Sequence, residues 1–402
     1  MSLRYIGARI SATPPTVTPP SGGEGGSASG AWSLGTVIGY EATSGWPKPL
    51  IIRELWSWGE NSFGNLGLGN TTEYSSPKQV GALTTWKTVA GGGYHTLAAR
   101  TDGTLWTCGQ NSNGQLGLGN TTVYSSPKQV GALTTWLTIS CGLVHTASIK
   151  TDGTLWSWGS NNSGRLGLGD ITNRSSPVQV GALTTWLSIA CGAPFTAATK
   201  TDGTLWTWGS NAQGQLGLGN TTNYSSPKQV GALTTWLSIA CGNYQGIATK
   251  TDGTLWTWGY NTQGQLGLGN TTNYSSPKQV GALTTWSKIA GGGNYTIATK
   301  TDGTLWIWGQ NTQGQLGLGN TTSYDSPKQV GALTTWSSIT GGASYTIAKK
   351  TDGTLWTWGN NGNGQLGLGN LTNYSSPKQV GVLTTWLAIT GGRTFTFATK
   401  SP

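Results

Sequence analysis

The hexapeptide TDGTLW begins at positions 101, 151, 201, 251, 301 and 351, and a chain that copies itself every 50 residues must bury each copy against its neighbours. Copies start near Leu55, Leu105, Leu155, Leu205, Leu255, Leu305 and Leu355, which makes seven. Within a copy the pattern is that of short strands: WLSIA (236–240), GIATK (246–250) and TLWTWG (254–259), with PKQVG (227–231) at the front of the same stretch. TDG between the second and third is a tight turn with Gly where positive φ is needed. Alternation puts Trp256 and Trp258 on one face of the third strand, Leu255 and Thr257 on the other. Both faces of the sheet carry apolar groups, so it must be sandwiched. Seven such sheets set radially form a propeller.

The two ends of the repeat support closure. The last copy finishes at FTFATK (395–400) with no TDGTLW after it, and the first begins at ELWSWG (54–59) with IIRE where TDGT should stand. Each end holds what the other lacks, so pairing them removes an open sheet edge. The expected fold class is all-β: a seven-bladed β-propeller of four-stranded antiparallel blades over residues 53–402, closed by its N- and C-terminal strands and preceded by an extended Pro/Gly-rich anchoring arm, residues 1–52.

Composition narrows the functional classes. Gly is 65 of 402 residues and charged residues are 9%, which favours tight turns over helix. No run approaches the ~18 apolar residues of a membrane span, so no membrane insertion is expected. The start MSLRYIGARI lacks a continuous apolar core, which argues for synthesis and folding in a cytosol. Cys141, Cys191 and Cys241 share one repeat position, occupied by Gly elsewhere, and without CxxC spacing they read as small buried thiols rather than metal ligands. No Ser-His-Asp, paired-carboxylate or metal constellation stands out, so neither cofactor nor catalysis is expected.

Period alone leaves more than one propeller family open, and the motifs decide. WGSNAQGQLGLG (208–219), a Pro-containing PKQV strand and CGLVHT (141–146) together resemble the repeat of the regulator of chromosome condensation family, over about residues 53 to 400. The resemblance implies a seven-bladed propeller closed by both termini. The family's eukaryotic prototype is a guanine nucleotide exchange factor for a small nuclear GTPase. Here the copies are uniform in length and His occupies the motif position only at His95 and His145. The fold is therefore carried over and the exchange activity is not. GQLGLGN, once per copy and before no helix, is a structural turn rather than a phosphate cradle.

Copies differ at two sites. One is the triplet after the CG or GG pair, different in every blade, as in Asn243-Tyr244-Gln245; the other follows the WG pair, as at Tyr260. In an antiparallel meander both loops lie on one side of the disc, while TDG and GALTT, nearly constant, lie on the other. The expected binding face is the variable one, through Tyr94, His95, His145, Phe195, Tyr244, Gln245, Tyr260, Tyr295, Tyr345, Arg393 and Phe395. The competing reading is that these side chains plug the channel mouth. Lys78 and its equivalents form a basic rim contributing to a formal charge of +10, without the clustering that nucleic-acid binding needs.

The stretch GSASGAWSLGTVIGYEATSGWP (26–47) resembles a segment of bacteriophage structural and tail-fibre proteins. That resemblance implies a virion component assembled in a bacterial host cytoplasm. Its arm would join other virion proteins through Leu3, Arg4, Tyr5, Ile6, Ile10, Trp32 and Trp46, and its variable face would meet a host surface glycan or receptor. The alternatives are a regulatory propeller that binds a cellular protein, in the manner of an exchange factor, and a bacterial surface adhesin.

Overall fold

A computed structural model of the chain describes residues 53–402. The anchoring arm, with Leu3, Arg4, Tyr5, Ile6, Ile10, Trp32 and Trp46, lies outside the described residues. The described chain forms seven four-stranded antiparallel sheets; in six of them each strand is hydrogen-bonded to the next in chain order, and the seventh combines strands from both ends of the described chain. We number the blades from the N-terminus, so the first spans residues 86–129 and the fourth residues 236–279. In the fourth, Trp236–Cys241 lines the channel, followed outward by Gln245–Lys250, Leu255–Gly259 and Tyr274–Gln279. The strand read from PKQVG (227–231) is therefore shifted and reassigned. It runs Tyr224–Gln229 and pairs with Leu205–Gly209 in the third blade. The long loop after each third strand brings the chain back along that strand, so the outer strand completes the blade it follows.

The outer strand is an edge, and its sequence protects it. Pro277 removes a donor, and the pairing shifts register between Thr257 and Gly259, bending the edge out of line. Lys228, Lys278 and their equivalents each sit over the Tyr ring of their own strand, at 5.2 to 5.5 Å.

Blades cohere through tryptophan. Trp236 packs edge-on against Trp256 and Trp258, both at 6.2 Å, and this face buries Leu205 and Val230 of the preceding blade. The Trp258 indole N–H donates to Gln215 O of the third blade at 2.9 Å. Gly217 in the LGLG turn makes that approach possible: its φ is +72°, and a Cβ there would come within 2.9 Å of Trp258 Nε1. The turn is thus a seat for the next blade's tryptophan. On the opposite edge of the aromatic group, Lys250 Nζ lies 3.6 Å from the Trp256 ring centroid and 5.0 Å from that of Trp236. Burial lowers the Lys250 pKa against the pull of Asp252, so the lysine is held mainly by π-faces.

The seventh blade joins the ends of the repeat. Glu54–Gly59 pairs with Phe395–Lys400 in continuous register from Glu54↔Lys400 to Gly59↔Phe395. Where other blades have Thr hydrogen-bonded to Trp, the closing strand has Glu54, which accepts from Trp56 Nε1 at 3.0 Å and meets Lys400 Nζ at 2.9 Å. The sheet is closed without a free inner edge.

Candidate functional site

Backbone hydrogen bonds put the two variable loops side by side in each blade: Tyr260 N–H donates to Tyr244 O at 3.0 Å and Gln110 N–H to Tyr94 O at 2.8 Å. The Tyr244 and Tyr260 rings meet edge-on at 6.2 Å. Beneath the triplets the channel holds a cavity of about 670 Å³, lined by Val89 and by isoleucines such as Ile139 and Ile239 at the same repeat position, with glycine backbone around its mouth.

The third residue of each triplet does not face solvent. His95, His145, Phe195, Gln245, Tyr295, Tyr345 and Phe395 are all buried, so these seven are corrected from candidate ligand contacts to interior residues. The strand begins at that residue, and alternation turns its side chain in between blades. Five of the seven bridge to the next blade by hydrogen bonds. His95 Nε2 pairs with Thr146 Oγ1 at 3.1 Å and His145 Nε2 with Thr196 Oγ1 at 3.0 Å. Gln245 Nε2 donates to Tyr295 O at 3.2 Å. The Tyr295 hydroxyl donates to Tyr345 O, and the Tyr345 hydroxyl to Phe395 O. Phe195 and Phe395 act by packing alone.

Both histidines are neutral. Burial holds His95 down at about 3 and His145 well below the usual imidazole value. Thr146 and Thr196 spend their own protons on Gln115 O and Arg165 O, so each imidazole is the donor through Nε2. These rings are out of reach of a substrate. Cys141, Cys191 and Cys241 line the channel as free thiols, and burial raises all three, Cys191 to about 12. Among the described residues no group of three His, Cys, Asp or Glu is placed to hold a metal ion.

The second triplet position does face outward. Tyr244 is exposed, and Tyr94 and Tyr260 are half-buried. Arg393, at the first position in the seventh blade, is exposed and lies with its guanidinium 5.3 Å from the Tyr94 ring centroid. On its other side Tyr94 meets Phe63 at 5.3 Å, a residue the sequence reading did not single out. Asn173 reaches Asn113, and Asn273 reaches Gln213, sixty residues back; Val123, at the equivalent position sixty residues after Phe63, is exposed. Exposed Leu143 is bonded through its carbonyl to Gly93 N–H, at 3.2 Å. Phe63, Tyr94, Leu143 and Arg393 thus form an aromatic, aliphatic and guanidinium patch over the seventh, first and second blades. Across the disc the same positions carry amides, as in Asn294 donating to Gln310 at 3.3 Å and Asn360 to Gln313 at 3.2 Å. Phe63 was findable: it stands where other copies have Asn, Ser or Gln.

Comparison with solved structures gives the same architecture. The chain superposes on Prp20p of Saccharomyces cerevisiae with a TM-score of 0.78 at 20% identity, covering 87% of this chain and 91% of that one. The yeast protein in complex with Kap60 gives 0.79, with 89% of its chain covered, again at 20% identity and 87% of this chain. Human WBSCR16 gives 0.78 at 22% identity, covering 87% of this chain and 99% of that one. At these identities the likeness is one of fold. No curated protein matches by sequence. The sequence itself matches the RCC1-like domain over residues 54–398, which is most of the described chain, and the protein belongs to the family of RCC1-like domains.

Proposed function

We propose that the protein is a non-catalytic regulatory propeller that docks another protein on its variable face. The observation that carries this reading is the patch of Phe63, Tyr94, Leu143 and Arg393, where aromatic and arginine side chains stand together at outward positions of a rigid disc. Tyr and Arg dominate the energetically important centres of protein interfaces because they give large contact area and directional bonding at small entropic cost. The yeast relative is described by its binding to Gsp1p and histones, and a protein partner is the class we carry over. The seven described repeats keep one length, so no inserted element is available to pry a nucleotide loose, and docking is proposed without exchange. The virion reading rests on residues 26–47, outside the described residues, and the family relationship favours the regulatory alternative.

Binding of the full chain to Gsp1p and to core histones tests this. We expect binding to one of them, weakened by about 30-fold in the double variant Tyr94→Ala, Arg393→Ala, with the intrinsic nucleotide release rate of Gsp1p unchanged. Retention of full affinity by that variant would refute the patch, and accelerated release would refute docking without exchange. Binding to neither protein would refute the partner class.

A further inference from the structure

The mouth of the channel is closed by a ring of backbone bonds that has one gap. In each blade the first triplet residue donates its N–H to the next blade: Gly93 to Leu143 O at 3.2 Å, Ala193 to Asn243 O at 3.0 Å, Asn243 to Gly293 O at 3.1 Å. The ring continues from Gly293 to Gly342 O at 3.1 Å, Ala343 to Arg393 O at 3.0 Å and Arg393 to Gly92 O at 3.0 Å. Leu143 is the exception, and its N–H finds no acceptor among the described residues. The carbonyl that the pattern would offer it, Ala193 O, lies 3.4 Å from Arg165 Nη1 instead.

Arg165 stands where the other copies have Gln or, at Asn65, Asn. It is only 9% exposed, and besides Ala193 O it donates only to Asn162 O, through Nε at 3.0 Å. The ion pairs among the described residues join Arg100 to Asp102, Arg174 to Asp170 and Lys400 to Glu54, so no carboxylate meets this guanidinium. Its close neighbour His145 is neutral. Burial lowers the Arg165 pKa. A guanidinium has five N–H donors, and two bonds to carbonyls leave both its charge and most of its fork unused. An enclosed cation without a counter-charge is costly, and a fold retains one most readily where an anion arrives from outside.

We propose that Arg165 and the Leu143 amide bind one carboxylate, supplied by an acidic side chain of the docked protein. The proposal rests on the variable-face reading above and adds the chemistry of the partner. A planar carboxylate matches the guanidinium fork and brings the single negative charge that the seam lacks. It also explains why the second blade departs from glutamine at this position.

Thermal unfolding of the full chain, followed by tryptophan fluorescence at constant ionic strength, tests the site without a partner protein. Replacing sodium chloride by sodium acetate should raise Tm by about 2 °C once acetate exceeds its dissociation constant tenfold. Arg165→Gln, which installs the residue most other copies carry, should remove that response and in chloride melt above the wild type, because the uncompensated charge is gone. N-acetylglutamate amide, a side chain on a peptide backbone, should stabilise the wild type at least as well as acetate. No acetate response in the wild type, or the same response in Arg165→Gln, overturns the site. Stronger stabilisation by phosphate overturns the carboxylate assignment, and a response to acetate without one to the capped glutamate overturns the side-chain source. None of these failures touches the Tyr94 and Arg393 docking test, which reads a different patch with a different probe.

Discussion

The two faces of the disc are made from the same repeats, yet one carries a new triplet in every blade and the other hardly changes a letter. On the constant face each side chain serves several partners at once. Asp252 Oδ1 accepts from Thr254 N–H at 2.9 Å and from its hydroxyl at 2.6 Å, and Thr254 Oγ1 in turn accepts from Trp256 Nε1 at 2.8 Å. Gly253, at φ +77°, passes so close to the loop entering the fifth blade that a Cβ would fall 2.0 Å from Thr284 O. No substitution satisfies all of these together, and the constraint acts again in each blade. On the variable face the third triplet residue has one task, to span a fixed gap to the next blade. Imidazole, amide, phenol and phenyl each manage it. The second residue has no gap to span. Variation on that face therefore has two causes, interchangeable struts and free surface, lying one residue apart.

The largest expected effect separates those causes. Tyr345 is buried with its hydroxyl on Phe395 O, and truncation to alanine removes an aromatic ring from a filled interior, at a cost of about 3–5 kcal/mol. Tyr94, of the same residue type but at the second position in its own triplet, should cost less than about 1 kcal/mol when changed to alanine, the remainder of its packing on Phe63. Denaturant unfolding of the two single variants measures the difference. Equal losses would mean that the outward tyrosine is also a structural strut, and would remove the physical basis for reading that position as a contact.

A second contrast titrates. His95 and His145 are struts whose folded pKa values are depressed, His95 to about 3. The sign follows from proton counting: below about pH 6.5 the unfolded chain binds protons that the folded chain refuses, so the contribution is fully present above that pH and is lost as pH falls. His95 should remove about 1.4 kcal/mol of stability per pH unit between roughly 6 and 4, and His145 should add to the loss in the same direction. His95→Phe combined with His145→Phe supplies the residue used at Phe195 and Phe395, and should flatten that dependence while keeping the fold. An unaltered acid limb in the double variant would show that the rings are hydrated in solution and not struts.

Much of this architecture was legible because periodicity constrains a repeat protein twice, within the blade and between blades. The seven copies, the TDG turns, the two-sided sheets and the closure of ELWSWG on FTFATK all follow from spacing and alternation, which the backbone obeys regardless of tertiary detail. Two things were hidden. The fourth strand was placed three residues late and beside the wrong neighbours, because PKQV looks like a strand on propensity while the irregular pairing that starts at Tyr274 leaves no mark on alternation. The site residues were split wrongly, because an aromatic in a loop triplet looks the same whether it ends the loop or begins the strand. Only the burial of Tyr295 against the exposure of Tyr244 tells them apart. Arg165 carried a visible signal, a charge in a glutamine column, but its meaning lay in the missing carboxylate.

The smallest expected effect concerns the place where the constant face departs furthest from itself. At the closing seam the repeat is interrupted, the TDG turn is absent, and Glu54 takes the position that Thr104 and its equivalents hold elsewhere. Its hydrogen bond to Lys400 is the largest influence on its carboxyl and holds it below the usual glutamate value near 4.5, against the opposing effect of burial. A depressed carboxylate stabilises the fold above its unfolded pKa and loses that contribution as pH falls through the folded value, so the seam should weaken only below about pH 4.5. Glu54→Thr restores the residue of the other blades but not the aspartate that orients it. It should cost about 1 kcal/mol at pH 7, within the range of a partly exposed charged pair, and progressively less as pH falls below 4.5. Measured in the His95→Phe, His145→Phe background, where the histidines no longer titrate, a difference that does not shrink at all as pH falls would mean that Glu54 closes the ring by packing rather than by charge. The seam would then be an ordinary blade contact, held like the other six.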